Sequence, residues 1–77
     1  MELYEKVMQV ISYQYGYEVE LNTYLDDIGD TLDKIEMVMA LEEEFLIHIE
    51  DEYMETFTTV RDVCKHVEDL TRGDDYV

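Results

Sequence analysis

The chain has 77 residues, 47% of them hydrophobic, and its 21 acidic side chains against five basic ones give a formal net charge of −16. That is one domain with one shared core, too apolar for a disordered acidic tail and too small for a deep catalytic cleft beside a scaffold. Its negative surface repels nucleic acid phosphates and anionic lipid and attracts basic patches on proteins, so the expected partner is a basic protein rather than nucleic acid or membrane.

A lone cysteine, Cys64, cannot make an internal disulfide, which fits a reducing compartment. The start of the chain lacks a basic segment followed by an apolar run, and no stretch reaches the roughly 20 apolar residues of a bilayer span. A cytoplasmic monomer is the expectation.

Proline is absent and glycine is limited to Gly16, Gly29 and Gly73, which favours helices. The first periodic segment runs from about Glu2 to Tyr15, with Leu3, Val7, Val10 and Ile11 on one stripe and Gly16 as its stop. Tyr17 to Gly29 has no sustained period. Its Val19, Leu21, Tyr24, Leu25 and Ile28 are enough to fold it back over the core as an ordered loop.

Asp30 and Thr31, both residue types that cap helices, precede a second helix from about Leu32 to Phe45. Its Leu32, Ile35, Val38, Leu41 and Phe45 are expected to face inward, leaving Glu36, Glu42, Glu43 and Glu44 as an acidic ridge. A short helix near Glu50 to Phe57 uses Met54 and Phe57 as core contacts. Thr58 or Thr59 then caps a last helix from about Val60 to Leu70, with Val60, Val63, Cys64, Val67 and Leu70 inward. Residues 71–77 are expected to fray. The fold class is all-α: a small four-helix bundle, three longer helices and one short, with a long loop between the first and second.

The stretch from Asp27 through Ile28, Gly29, Asp30, Thr31, Leu32 and Asp33, continuing from Ile35 to Phe45, resembles the attachment loop and recognition helix of the acyl carrier protein family. A second block, with Ile47, Ile49, Asp51, Glu52, Glu55, Thr58, Thr59 and Val60, is similar to that family's third helix and its entry into the fourth. Three departures stand out. The family's Asp-Ser-Leu is here Asp30, Thr31 and Leu32; a residue usual between the glycine and the aspartate is missing after Gly29; and Glu50 stands where proline is common.

The resemblance implies a 4′-phosphopantetheine arm on Thr31, between Asp30 and Leu32, taking the place of the arm on the family's serine. It implies a docking surface of Asp30, Asp33, Glu36, Glu42 and Glu43 with Met39, Ile49 and Met54, read by basic patches on phosphopantetheinyl transferase and acyl-processing enzymes. It also implies an acyl shelter at Val38, Leu41, Phe45 and Ile49, where methionines can repack around a guest. Threonine adds a methyl group beside the hydroxyl and restricts χ1, which crowds the approach to a transferase.

The remaining candidates have plain readings. Cys64 and His66 are two positions apart on a helix and do not face each other, and Cys64 lies on the apolar stripe. His48 and His66 lack metal-ligand spacing, and a calcium loop counted from Asp26 meets Ile28 where a carboxylate belongs. The expectation is a carrier, not an enzyme, presenting acyl thioesters to fatty acid or polyketide enzymes. The alternatives are an unmodified module of the same fold, acting as decoy or regulatory subunit for a basic partner, and an acidic mimic of nucleic acid.

Overall fold

The computed structural model describes residues 2–73 and folds them as α1 (Glu2–Tyr15), α2 (Leu25–Ile28), α3 (Thr31–Phe45), α4 (Asp51–Met54) and α5 (Val60–Gly73). One core joins Val7 and Ile11 of α1, Met37, Val38 and Leu41 of α3, and Val60, Val63, Cys64 and Val67 of α5. Leu25, Ile49 and Phe57 close it from the connecting segments. Burying these side chains is the main stabilising term in a chain that has no disulfide.

The first helix ends as its sequence suggests. Gly16 takes φ 66°, a left-handed conformation that costs glycine little, and its amide bonds the Ser12 carbonyl at 2.8 Å. The connection after it is ordered because it is stitched to the start of α5. Leu25 N donates to Thr58 O at 2.9 Å, Val60 N to Thr23 O at 3.0 Å, and Arg61 N to Leu21 O at 2.9 Å. Two first-turn amides of α5, which have no partner within the helix, are satisfied in this way. Asp62 completes that end: its Oδ2 accepts from Thr58 N and Thr59 N, both at 3.0 Å, while its own amide donates to Thr59 Oγ1 at 3.4 Å.

The structure corrects the sequence reading in four places. The long connection holds a short helix, α2, because buried Leu25 anchors a single turn there. The inward stripe of α3 keeps Val38 and Leu41 but is rotated to take in Met37, which is fully buried, while Leu32 is 62% exposed and Ile35 37% exposed. Lys34 sits on the rotated face and sends its Nζ to the Phe57 carbonyl at 2.9 Å. The short helix α4 covers only Asp51–Met54, with Glu50 as its N-cap and Phe57 beyond its end. Finally, α5 continues to Gly73, so Thr71 and Arg72 are helical; residues 74–77 of the expected tail lie outside the described residues.

Candidate functional site

The site is built at the start of α3. Asp30 is the N-cap in extended conformation, and its Oδ1 accepts from the Asp33 amide at 3.1 Å. Asp33 answers with Oδ2, which accepts from the Asp30 amide at 3.1 Å. This reciprocal capping box takes over the work that Thr31 could have done. Thr31 is left as the first helical residue, exposed, with no hydrogen bond to its hydroxyl among the described residues.

Gly29 sets the height of this turn. A Cβ placed on it would lie 2.6 Å from ring carbons of Tyr15 and 2.6 Å from Asp33 Oδ2, so a larger residue would push the turn off α1. Its φ of −169° is ordinary extended backbone; what requires glycine here is space. The Tyr15 hydroxyl is buried without a partner among the described residues. Burial, then the Asp33, Asp26 and Asp30 carboxylates, push its pKa up to about 12.

A groove of about 410 Å³ runs between α3 and α4, lined by Ile35, Val38, Met39, Glu42, His48, Ile49, Asp51 and Met54. Glu42, one of these lining residues, is already engaged. Its Oε2 accepts from Ile49 N at 2.8 Å and lies 3.3 Å from His48 Nδ1, while His48 Nε2 is 3.8 Å from Glu50.

No family model matches the sequence. Among solved structures, the chain is similar to an acyl carrier protein of Thermotoga maritima, with 28% identity and a TM-score of 0.81 over 96% of this chain and 92% of that one. A holo acyl carrier protein of Geobacter metallireducens matches with a TM-score of 0.82 at 16% identity, over 100% of this chain and 95% of that one. This chain has the acyl carrier protein fold. Both matched proteins are described as acyl carrier proteins, which are carriers rather than catalysts.

Within that fold the expected site residues fall into groups. Asp30, Thr31 and Leu32 share the exposed first turn of α3. Leu32, Ile35 and Met39 form an exposed apolar line down the helix, flanked by exposed Glu36 and Glu43. Val38 and Ile49 line the groove beside Met54; Leu41 is fully buried in the core, and neither it nor half-buried Phe45 is in the groove lining. Sequence reasoning missed three participants. His48 and Asp51 belong to the groove, and Tyr15 lies beneath the turn that enters α3. The exposed line on α3 was hidden because that helix is apolar on more than one face, so period alone could not choose its inward side.

No group of His, Cys, Asp and Glu among the described residues could hold a metal ion. No helix among them is long and apolar enough to cross a membrane.

Proposed function

We propose that this chain is a cytoplasmic carrier protein that bears a 4′-phosphopantetheine arm on Thr31 and presents acyl groups on it as thioesters. One observation carries the reading. Asp30 and Asp33 cap α3 between them, so the exposed Thr31 hydroxyl is free to be esterified while Asp30 still holds the Asp33 amide. The residues present fit the group: an alcohol on the first turn of a 15-residue helix, where the dipole and free amides favour an anion. The arm would supply the thiol that holds the cargo, and the chain a tether, a shelter and an address.

The address is the exposed line of Leu32, Ile35 and Met39 with the acidic side chains Asp30, Asp33, Glu36 and Glu43 beside it. Its complement is a basic patch with an apolar centre, as expected on a phosphopantetheinyl transferase and on acyl-processing enzymes of fatty acid or polyketide synthesis. The shelter is the α3–α4 groove, where Met39 and Met54 can repack around an acyl chain. Glu42 and Ile49 both line the groove and are joined by a hydrogen bond.

The test is incubation with coenzyme A and a broad-specificity phosphopantetheinyl transferase, followed by intact mass. In the transfer, Thr31 Oγ bonds to phosphorus, the pyrophosphate bond of coenzyme A breaks, and adenosine 3′,5′-bisphosphate leaves with the hydroxyl proton passed to the transferase. A mass gain abolished by Thr31→Ala supports the carrier. No gain on the natural chain with full gain on Thr31→Ser marks an unmodified module of the same fold.

A further inference from the structure

Tyr15 closes α1, and its ring is wedged beneath the turn that enters α3. Ring carbons of Tyr15 and Asp33 Oδ2 each lie 2.6 Å from the same point above Gly29, so the ring edge and that carboxylate oxygen are close to one another. The phenol is a buried donor with no acceptor among the described residues. Burial and the surrounding carboxylates keep it protonated. A buried donor left unpaired costs free energy that a phenylalanine in its place would not, so the hydroxyl calls for a use.

Asp33 has a conflict that such a donor resolves. Its Oδ2 accepts from the Asp30 amide at 3.1 Å, and that amide belongs to the helix end where an anion esterified to Thr31 would sit. A carboxylate and a phosphodiester carry the same sign and would compete for the same donors and the same dipole. Exposed Asp30, which holds the Asp33 amide, adds to the crowding of negative charge.

We infer that Tyr15 is a positioning residue for the loaded protein: its hydroxyl receives the Asp33 carboxylate when a phosphodiester on Thr31 takes over the Asp30 amide. The inference rests on the carrier reading of Thr31. In the bare chain Asp33 caps the helix and the phenol has no partner among the described residues. In the loaded chain Asp33 turns toward α1, accepts from Tyr15 Oη, and leaves the Asp30 N–H to the phosphate. One hydrogen bond is exchanged for another, and an unpaired buried donor is satisfied in the exchange. A leucine or phenylalanine at this position could fill the space under Gly29 but could not hold Asp33.

The test uses isotope-labelled protein with Tyr15 or Tyr15→Phe, each with Thr31 and with Thr31→Ser, before and after loading from coenzyme A. Intact mass reports loading, which decides the carrier reading. The Asp33 carboxylate carbon and the Asp30 amide report the exchange, which decides the role of Tyr15. The two therefore fail separately. With Tyr15, loading is expected to shift both resonances; with Tyr15→Phe, the Asp33 response is lost. Tyr15→Phe is further expected to leave the unfolding midpoint of the bare protein unchanged or raised and to lower that of the loaded protein. Equal Asp33 responses to loading in the two proteins, with equal midpoint changes, would overturn the assignment.

Discussion

Lys34 Nζ donates to the carbonyl oxygen of Phe57 at 2.9 Å, tying α3 to the segment between α4 and α5. In a chain with five basic residues, one of them is thus spent on holding the fold together rather than on its surface.

Lys34→Met should therefore destabilise the protein by about 1–2 kcal/mol, the worth of a charge-assisted hydrogen bond at a half-buried site. Urea unfolding at low and high salt separates the causes. The loss of the hydrogen bond persists in salt, whereas the added repulsion in a chain already at −16 is screened. Unchanged stability at high salt would contradict the assignment.

Leu46 and Gly16 offer a paired test of backbone strain. Leu46 caps α3 at φ 56° and is 89% exposed, so it bears the left-handed cost with little burial in return. Leu46→Gly is expected to stabilise by about 1 kcal/mol, raising the unfolding midpoint by a few degrees. Gly16→Ala, at φ 66°, should lower it by a similar amount, although a Cβ there meets nothing within 4 Å. Changes of the opposite sign would show that side-chain contacts, not backbone, decide these positions.

Asp62 gives a pH signature. The backbone hydrogen bonds from Thr59 and then Thr58 hold its carboxyl below the ordinary 3.8, with partial burial opposing. A group depressed in the folded state contributes stability above its unfolded value and loses it as pH falls through the folded one. Asp62→Asn is expected to be less stable than the natural chain at pH 7 and to converge with it in strong acid. Equal stability at pH 7 would show that the cap of α5 does not depend on this carboxylate.

Cys64 is fully buried, and burial pushes its thiol up to about 11, with Arg61 opposing and Glu68 adding. The sign is opposite to that of Asp62: this contribution is intact below the ordinary 9.0 and lost as pH rises through about 11. At pH 8 a disulfide reagent should label Cys64 only as fast as the core opens, so labelling should accelerate with urea. Immediate labelling in native buffer would contradict this placement.

The fold was largely legible in the sequence, and the reason is particular. Gly16, the Asp30 cap and the Val60, Val63, Cys64 and Val67 stripe are local signals, and the structure agrees with each. The inward face of α3 was legible only in part: Val38 and Leu41 are buried as expected, but Met37 was missed, and Leu32 and Ile35 lie exposed. Leu32, Ile35 and Met39 repeat at helical spacing as well as Lys34, Met37 and Leu41 do, and a lysine reads as surface until a partner carbonyl is known. The role of α2 depends on Leu25 meeting a carbonyl from the far side of the chain, a pairing no local pattern reports. At the site, Asp30 and Thr31 both looked like caps. Only the bond from the Asp33 amide to Asp30 decided which of them does the capping and which is free. Tyr15 gave no local sign, because its contact with Gly29 is set by tertiary packing.

The most direct measurement is the intact mass of the protein isolated from its native cells, with fragmentation to locate any added group. The carrier reading requires a population heavier by phosphopantetheine, with the addition on Thr31. A preparation that is wholly unmodified, or modified at another residue, contradicts it.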